Sequence, residues 1–445
     1  MTSIELRDRR VGHVEEHEYE IYENDSANDL DIPDGGLKSY LVVVGLFFGF
    51  IVNAGLINSI GTIQTYVSNH QLSDVKGTTV SWIFSVYLCL TYAVGVFIGP
   101  IFDRHGALFL EICSTTLIFL SLFGVASCRE VWEFVLCFIF LGIGSGLGMT
   151  PLYGVINHWF LRKRGTFTGI ATVGGSLGGL IIPLMLRKLY SEYGFIWAIR
   201  VLSFFFLGCN LIAIFLGRER IKRDKEVDNS VMNSKWEKLT KGMSFLDLSS
   251  VKDASFATLI VGAFFGELSL ILINTYFASY AIAQGVSEST SYLLLTVWNA
   301  AGIFGRCSPA FVSDFWGKFN INILMLVGLD LVVFALWFPF GHYLKILFAF
   351  SALGGFFLAS ILTMFPSCLA QISAVEKYGE RLGLTFFFLS IGNLVGVPIG
   401  ASIIGQKSIR DYDHFVIFLG TMTIMSTTFW ILSRYTLVRF RFSKV

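Results

Sequence analysis

"GPIFDRHG", residues 99–106, and "AFVSDFWGK", residues 310–318, each close an apolar run, and in each an aspartate precedes a glycine by three positions: Asp103 with Gly106, Asp314 with Gly317. A short polar turn repeated at the same place in two halves of a chain is the mark of internal duplication. Two further correspondences keep the same order. "GLGMTPLYG" (Gly148, Pro151) in the fourth apolar run matches "TMFPSCLAQ" (Pro366) in the tenth, and the fifth and eleventh runs each begin with a basic residue and glycine and are expected to end in proline, Pro183 and Pro398.

The runs between these turns set the class of protein. With 54% hydrophobic and 15% charged residues over 445 positions, the chain is too apolar for an ordinary soluble domain. Windows of roughly 20 residues predict twelve membrane spans. They cover 39–63, 78–101, 108–127, 132–157, 166–186, 195–216, 255–281, 290–312, 321–340, 344–368, 382–404 and 414–434. Backbone groups in lipid must pair within their own segment, and the runs lack period-two alternation, so helices are predicted rather than a barrel. The expected fold is an all-α membrane protein of twelve transmembrane helices in two pseudo-symmetric six-helix bundles.

Residues 1–37 carry about eleven acidic residues against three arginines and read as a disordered acidic tail. The N-terminal bundle is assigned to 38–216, a basic linker to 217–253, the C-terminal bundle to 254–435 and a short tail to 436–445. An acidic tail before the first run, with no basic segment or small-residue cleavage site, argues against a signal peptide. Placing both termini in the cytosol puts about 24 of the 33 Lys and Arg in cytosolic tails and loops, about seven outside, and Arg200 and Arg306 within helices. Net charge is near zero and gives no footprint for nucleic acid. The seven cysteines lack a CxxC spacing and read as small core residues, not as a disulfide or metal framework. No cofactor or metal is expected.

At "GPIFDRHG" the chain resembles the major facilitator superfamily, whose loop between helices 2 and 3 follows a G-x-x-x-D-[RK]-x-G pattern. Here Gly99, Asp103, Arg104 and Gly106 fill it, with Asp314 and Gly317 as the degenerate copy. The resemblance implies a turn made tight by the glycines and a gate latched by the charged pair at neighbouring helix ends. "PDGG" at 33–36 and "WFLRKRGTFTGIATVGGSLGG" at 159–179 are similar to two signatures of the monocarboxylate-transporter family. "NAAGIFGRCSPAFVSD" at 299–314, "FPSCLAQIS" at 365–373 and "NLVGVPIGASI" at 393–403 look like its fungal branch, which includes riboflavin importers. The family's aromatic-glycine-Trp step after "DGG" is replaced by Leu37, Lys38, Ser39 and Tyr40, and the helix 1 lysine of animal lactate carriers is absent near Ile57 and Asn58. The family arginine of helix 8 remains as Arg306, but the carboxylate four residues earlier is Gly302. The resemblance therefore implies a carrier of a small organic solute, monocarboxylate-like or riboflavin-like, with the lactate machinery incomplete.

Charged side chains deep in membrane helices cost at least about 2.5–3.5 kcal/mol, so each needs a partner or a function. Arg306 is expected to hold the polar end of a solute or to pair with a neighbouring helix. Glu267, mid-helix 7, sits where desolvation and a nearby cation act on a carboxylate in opposite senses, as a proton-coupling site requires; an ion pair with Arg306 is the rival reading. Asp330, on peripheral helix 9, is expected to be structural, and Arg200 to snorkel. Asn53, Asn58, Tyr153, Asn157, Asn274, Tyr276 and Asn299 are candidate hydrogen-bonding groups of the cavity, each equally suited to a helix-helix bond. Gly142, Gly144, Gly146, Gly148, and the pairs Gly174/Gly178 and Gly175/Gly179, fit small-xxx-small packing that lets helices approach and rock.

The expected partners are a small organic solute, membrane lipid and, for a symporter, protons; a monomer is expected. A sensor built on a transporter scaffold would need a longer cytosolic tail, an enzyme would need convergent His or Asp on facing helices, and a dicarboxylate carrier is a third alternative. The plasma membrane is the expected location by family, with the vacuolar membrane as alternative.

Overall fold

The computed structural model describes residues 32–220, 248–405, 408–439 and 443. The expected disordered tail and most of the basic linker lie outside these residues. The described chain is helical throughout its apolar runs. α1 is Leu37–Asn69, α2 comprises Gly77–Ala93 and Gly95–His105, α3 is Ala107–Val125 and α4 is Val131–Trp159. α5 and α6 share one helical run, Arg164–Leu216, and α7 is Ala254–Ala283. α8 is Glu288–Trp316, α9 runs Lys318–Val332 and on to Phe340 through a π turn, α10 is Leu344–Gln371, α11 Tyr378–Ile404 and α12 Ile409–Val438.

Ten of these are long and apolar enough to span a membrane, among the described residues. The run Arg164–Leu216 counts once there although its 53 residues would extend about 80 Å. It is broken at Gly194, whose φ of 74° and ψ of 177° are non-helical, so 164–193 (α5) and 195–216 (α6) are separate crossings. Only glycine adopts that conformation without strain. α8 is less apolar because it carries Asn299 and Arg306 in its middle. With these two points, each of the twelve predicted spans falls on a helical segment.

Two predictions about helix ends are corrected. Pro183 and Pro398 lie inside their helices, which continue to Gly194 and Ile404. Within a membrane bundle a helix runs on past a proline, since terminating it would expose more unpaired backbone than the one lost bond. Gly99 likewise lies inside α2, not in the turn. The turn glycines are Gly106 (φ 84°) and Gly317 (φ 95°), which have the same backbone sense at equivalent places in the two halves.

The face of the bundle that carries the start of α1 and the end of α12 is called here the terminal face. Near it the two halves share one apolar core: Phe50, Phe102, Tyr153 and Phe160 of the first half belong to the same packed cluster as Phe256, Phe365, Leu382 and Phe386 of the second. Toward the opposite face the first half has a core of its own, built from residues such as Leu56, Ile63, Phe84, Phe138, Ile199 and Phe206. The halves therefore share an apolar core on the terminal face, while toward the other the first half has a core of its own.

Glycines set these approaches. Gly142 and Gly146 of α4 lie against the backbone of α2 at Tyr87 and Thr91, and Gly144 lies against α3 at Leu117. Gly174 and Gly178 of α5 lie against α1 at Phe47 and Gly55. All these contacts are within one half, so they weld the bundle; the seams between halves use other glycines.

Candidate functional site

On the terminal face the halves meet along two seams. In the first, Gly95 and Gly99 of α2 abut Gly383 and Gly379 of α11: a Cβ added at Gly99 would fall on the Gly379 carbonyl oxygen, and one at Gly383 on that of Gly95. In the second, Gly165 and Gly169 of α5 abut Ala310 and the Arg306 carbonyl of α8.

An aspartate closes each seam. Asp103 accepts hydrogen bonds from the backbone N–H of Gly379 (3.0 Å) and Glu380 (2.7 Å) at the start of α11. Asp314 accepts from the N–H of Gly165 and Thr166 (2.9 Å each) and from the Thr166 hydroxyl (2.6 Å) at the start of α5. A helix N-terminus presents unpaired amides and positive potential, so a carboxylate on an opposing helix is a strong and geometrically exacting contact there. The duplicated Asp-to-Gly spacing thus yields a duplicated cross-half bond. Arg104 lies exposed at the end of α2.

Sequence reasoning missed a third aspartate of this face. Asp34, in "PDGG", adopts a φ of 48° and accepts from the consecutive N–H groups of Leu161 (2.7 Å), Arg162 (2.9 Å) and Lys163 (3.4 Å). Its own N–H donates to the Trp159 carbonyl (3.2 Å). Asp34 and Asp314 therefore take neighbouring amides at the start of α5, one from within the half and one from across the seam. Glu219 caps α3 at the Ala107 N–H (3.3 Å), and Asp253 caps α7 at Ser255 (3.0 Å).

Above the seams lies an aromatic layer. Tyr153 of α4 packs edge-on to Phe50 (4.8 Å between centroids), and Phe386 of α11 packs against Tyr92 (5.3 Å), Tyr153 and Phe365 (6.3 Å each). Glu267 of α7, 4% exposed, is buried beside Tyr92 of this layer. Arg306 is not its partner.

On the far side of the aromatic layer is a polar cavity, lined by Asn58 of α1, Ser176 of α5, Leu270 and Asn274 of α7, Trp298, Asn299, Gly302 and Arg306 of α8, and Leu358 of α10. It encloses about 20 Å³, room for a water. Arg306 forms its floor. The side chain is 7% exposed and donates from Nε to Ser176 Oγ (2.8 Å) and from Nη1 to Thr363 Oγ1 (3.3 Å). Those are two of the five N–H donors of a guanidinium, and among the described residues no carboxylate is in ion-pair contact with it. The missing carboxylate has a visible place: a side chain at Gly302 would point between Ser176 Oγ and the Ala359 methyl, 3.5 and 3.3 Å away.

The amides are arranged around that cation. Asn58 donates to the Gly175 carbonyl (3.1 Å) and Asn299 to that of Leu295 (3.0 Å), so both are held in place. Gly179 lies between them, its Cβ position 2.8 Å from Asn58 Cβ and 3.3 Å from Asn299 Oδ1. Asn274 is exposed toward the cavity.

The remaining sequence candidates lie elsewhere. Asn53 is buried within the first half, donating to Gly49 (3.1 Å) beside Gly148 and Ser114. Asn157 is buried by Tyr378 near the terminal face. Tyr276 donates to the Val397 carbonyl (2.6 Å), binding α7 to α11. Asp330 accepts from the Thr427 hydroxyl (2.6 Å) and joins α9 to α12. The Arg200 guanidinium lies over the rings of Phe123 (5.0 Å) and Trp197 (5.4 Å). None of these lines the cavity.

Comparisons with known proteins are consistent with one another. A family model described as Major Facilitator Superfamily matches residues 42–342. The riboflavin transporter MCH5 of Saccharomyces cerevisiae is 36% identical over 431 residues, covering 94% of this chain and 82% of that protein. The MFS transporter asaE of Aspergillus flavus is 31% identical over 409 residues, covering 90% of this chain and 88% of its own. Among solved structures, the human organic anion transporter MFSD10 (TETRAN) superimposes with a TM-score of 0.71 at 13% identity, covering 89% of this chain and 100% of that one. An outward-facing bacterial homologue of the iron transporter ferroportin gives 0.67 at 13% identity, covering 90% and 100%. At that identity the solved structures speak to the fold alone.

Proposed function

This chain belongs to the major facilitator superfamily and is a membrane transporter of a small solute; from that premise we propose that the solute is riboflavin-like, a planar molecule rich in hydrogen-bonding groups, and that it moves by rocking of one half against the other. The observation that carries the reading is Arg306, a buried guanidinium on the floor of the cavity with two donors used and, among the described residues, no carboxylate partner. An uncompensated buried cation is costly, and a solute that brings acceptor oxygens into its planar fork relieves that cost. Asn58, Asn274 and Asn299 add donors and acceptors around it, and the Trp298 indole supplies an apolar wall. The identity with the yeast riboflavin transporter supports the same solute class.

The positive-inside distribution makes the terminal face cytosolic. The aromatic layer and the two aspartate-capped seams then close the cytosolic side, and the cavity belongs to an outward-facing or occluded state. Because the free space holds only a water, solute enters when the walls separate toward the outside and leaves when both seams part. Glu267 acts in this cycle at the aromatic layer, as a contact between halves through Tyr92.

Initial uptake of labelled riboflavin and of labelled lactate, in cells lacking carriers of their own, tests the reading. Saturable riboflavin uptake with no lactate uptake is expected. Lactate uptake without riboflavin uptake would overturn the solute class.

A further inference from the structure

The α3–α4 turn brings two thiols together at the face opposite the termini. Cys128 lies in the turn, Cys137 nearly two turns into α4, and their Sγ atoms are 3.6 Å apart. No other pair of cysteine sulfurs is in contact among the described residues. Three local features hold this geometry. Gly124 leaves the space that Cys137 occupies, since a Cβ there would lie 2.9 Å from its Sγ. The turn is closed by the N–H of Ser127 and Cys128 donating to the carbonyls of Gly124 (2.8 Å) and Val125 (3.3 Å). The start of α4 is fixed by Glu133, whose Oε2 accepts from the N–H of Arg129 (2.6 Å) and Glu130 (3.0 Å).

We propose that Cys128 and Cys137 form an intramolecular disulfide that staples the outer ends of α3 and α4. The inference rests on the orientation given above, which puts this turn on the exoplasmic side, where disulfides form and persist. The sulfurs have only to close from 3.6 Å to bonding distance, about 2.05 Å. The oxidant is the disulfide of a secretory-pathway thiol oxidoreductase. One cysteine thiolate attacks it, forming a mixed disulfide and releasing a thiolate; the second cysteine attacks the mixed disulfide and releases the other. The pair gives up two protons and two electrons, and the oxidant leaves as a dithiol. The ring closed, residues 128–137, lies wholly within the first bundle, so the staple rigidifies one rocking body and leaves the seams between bodies free.

The test uses the wild-type protein, alkylated on extraction and digested with trypsin without reductant. Cleavage after Arg104, Arg129 and Arg162 separates the two cysteines into peptides 105–129 and 130–162. We expect these peptides to be joined, to separate on reduction, and to be unlinked in Cys128→Ser, which also excludes a link through Cys113. Reductant is expected to lower the thermal unfolding midpoint of the wild type by several degrees and to leave Cys128→Ser unmoved. Recovery, without reduction, of peptide 105–129 alkylated at both Cys113 and Cys128 and of peptide 130–162 alkylated at Cys137 overturns the disulfide. A parallel measurement separates this from a failed orientation: Ser73→Cys, exposed in the loop between α1 and α2 on the same face, should react with a membrane-impermeant maleimide on intact cells. If it reacts and the pair is free, the disulfide alone is wrong; if it does not react, orientation and disulfide fall together.

Discussion

Arg306 and its neighbours show how one position decides the chemistry of a site. A carboxylate at 302 would satisfy the guanidinium within the protein, whereas Gly302 leaves it to Ser176 and Thr363, neutral hydroxyls that bond the side chain without cancelling its charge. The fork geometry matters as well as the charge, because an ammonium is a point donor. Arg306→Lys is therefore expected to keep the protein at the membrane but to raise the apparent KM for riboflavin at least tenfold, about 1.4 kcal/mol of binding; an unchanged KM would mean that the solute does not use the fork. A charge in an apolar run is the clearest signal a membrane sequence gives, so Arg306 and Glu267 were visible at once. Their partners were not. Which helices face each other is a property of packing, and the structure gives Arg306 two hydroxyls from α5 and α10 and sets Glu267 beside a tyrosine of α2, so the ion pair that stood as the rival reading is absent among the described residues. The asparagines divide for the same reason: Asn58 and Asn299 face the cavity, while Asn53 and Asn157 occupy other faces of equally apolar helices.

Among the elements, α2 with α11 and α5 with α8 meet glycine to backbone across the seams, and in the proposed cycle these are the contacts that part. A side chain at Gly383 would collide with the Gly95 carbonyl in this closed arrangement of the terminal face. Overpacking of this kind costs about 1–3 kcal/mol, which shifts a two-state equilibrium by about 5–150-fold. Gly383→Val is accordingly expected to favour the open terminal face, read as faster modification of Ser313→Cys, buried in the second seam beside Gly165, by a maleimide added from the cytosolic side of inverted vesicles; slower or equal modification would mean that the seam does not part. Helix existence and order were legible because long apolar runs and turn punctuation are local. Helix ends were less so: Pro183 and Pro398 read as stops, yet both lie inside helices. The glycines of the seams were legible as small residues, but not as belonging to the contact between halves.

For the whole molecule, the repeat seen in two short turns becomes a pair of latches. Asp103 caps α11 and Asp314 caps α5, each carried by one half and bonded to the other, so closing the terminal face is the sum of two equivalent contacts. Asp34 satisfies the adjoining amides of the α4–α5 loop from within the first half, so in the proposed cycle the start of α5 would stay capped without Asp314. Asp103→Asn and Asp314→Asn should each loosen the closed state, and the double variant should shift it by roughly the product of the two. Accessibility of the same cytosolic-side cysteine reads the effect, and a double variant no more open than either single one would show that the latches do not act independently. The shared core on the terminal face and the separate core beyond it give the closure its direction. No run of sequence carries that asymmetry, since it arises from how the helices of the two halves pack.

The central claim is that the cavity floored by Arg306 is where solute is carried. The most direct test is initial uptake of labelled riboflavin in cells without their own carrier, comparing the wild type with Arg306→Ala at equal amounts of protein in the membrane. The account predicts saturable uptake by the wild type and its loss, by tenfold or more, in the variant. Full uptake by Arg306→Ala would contradict it.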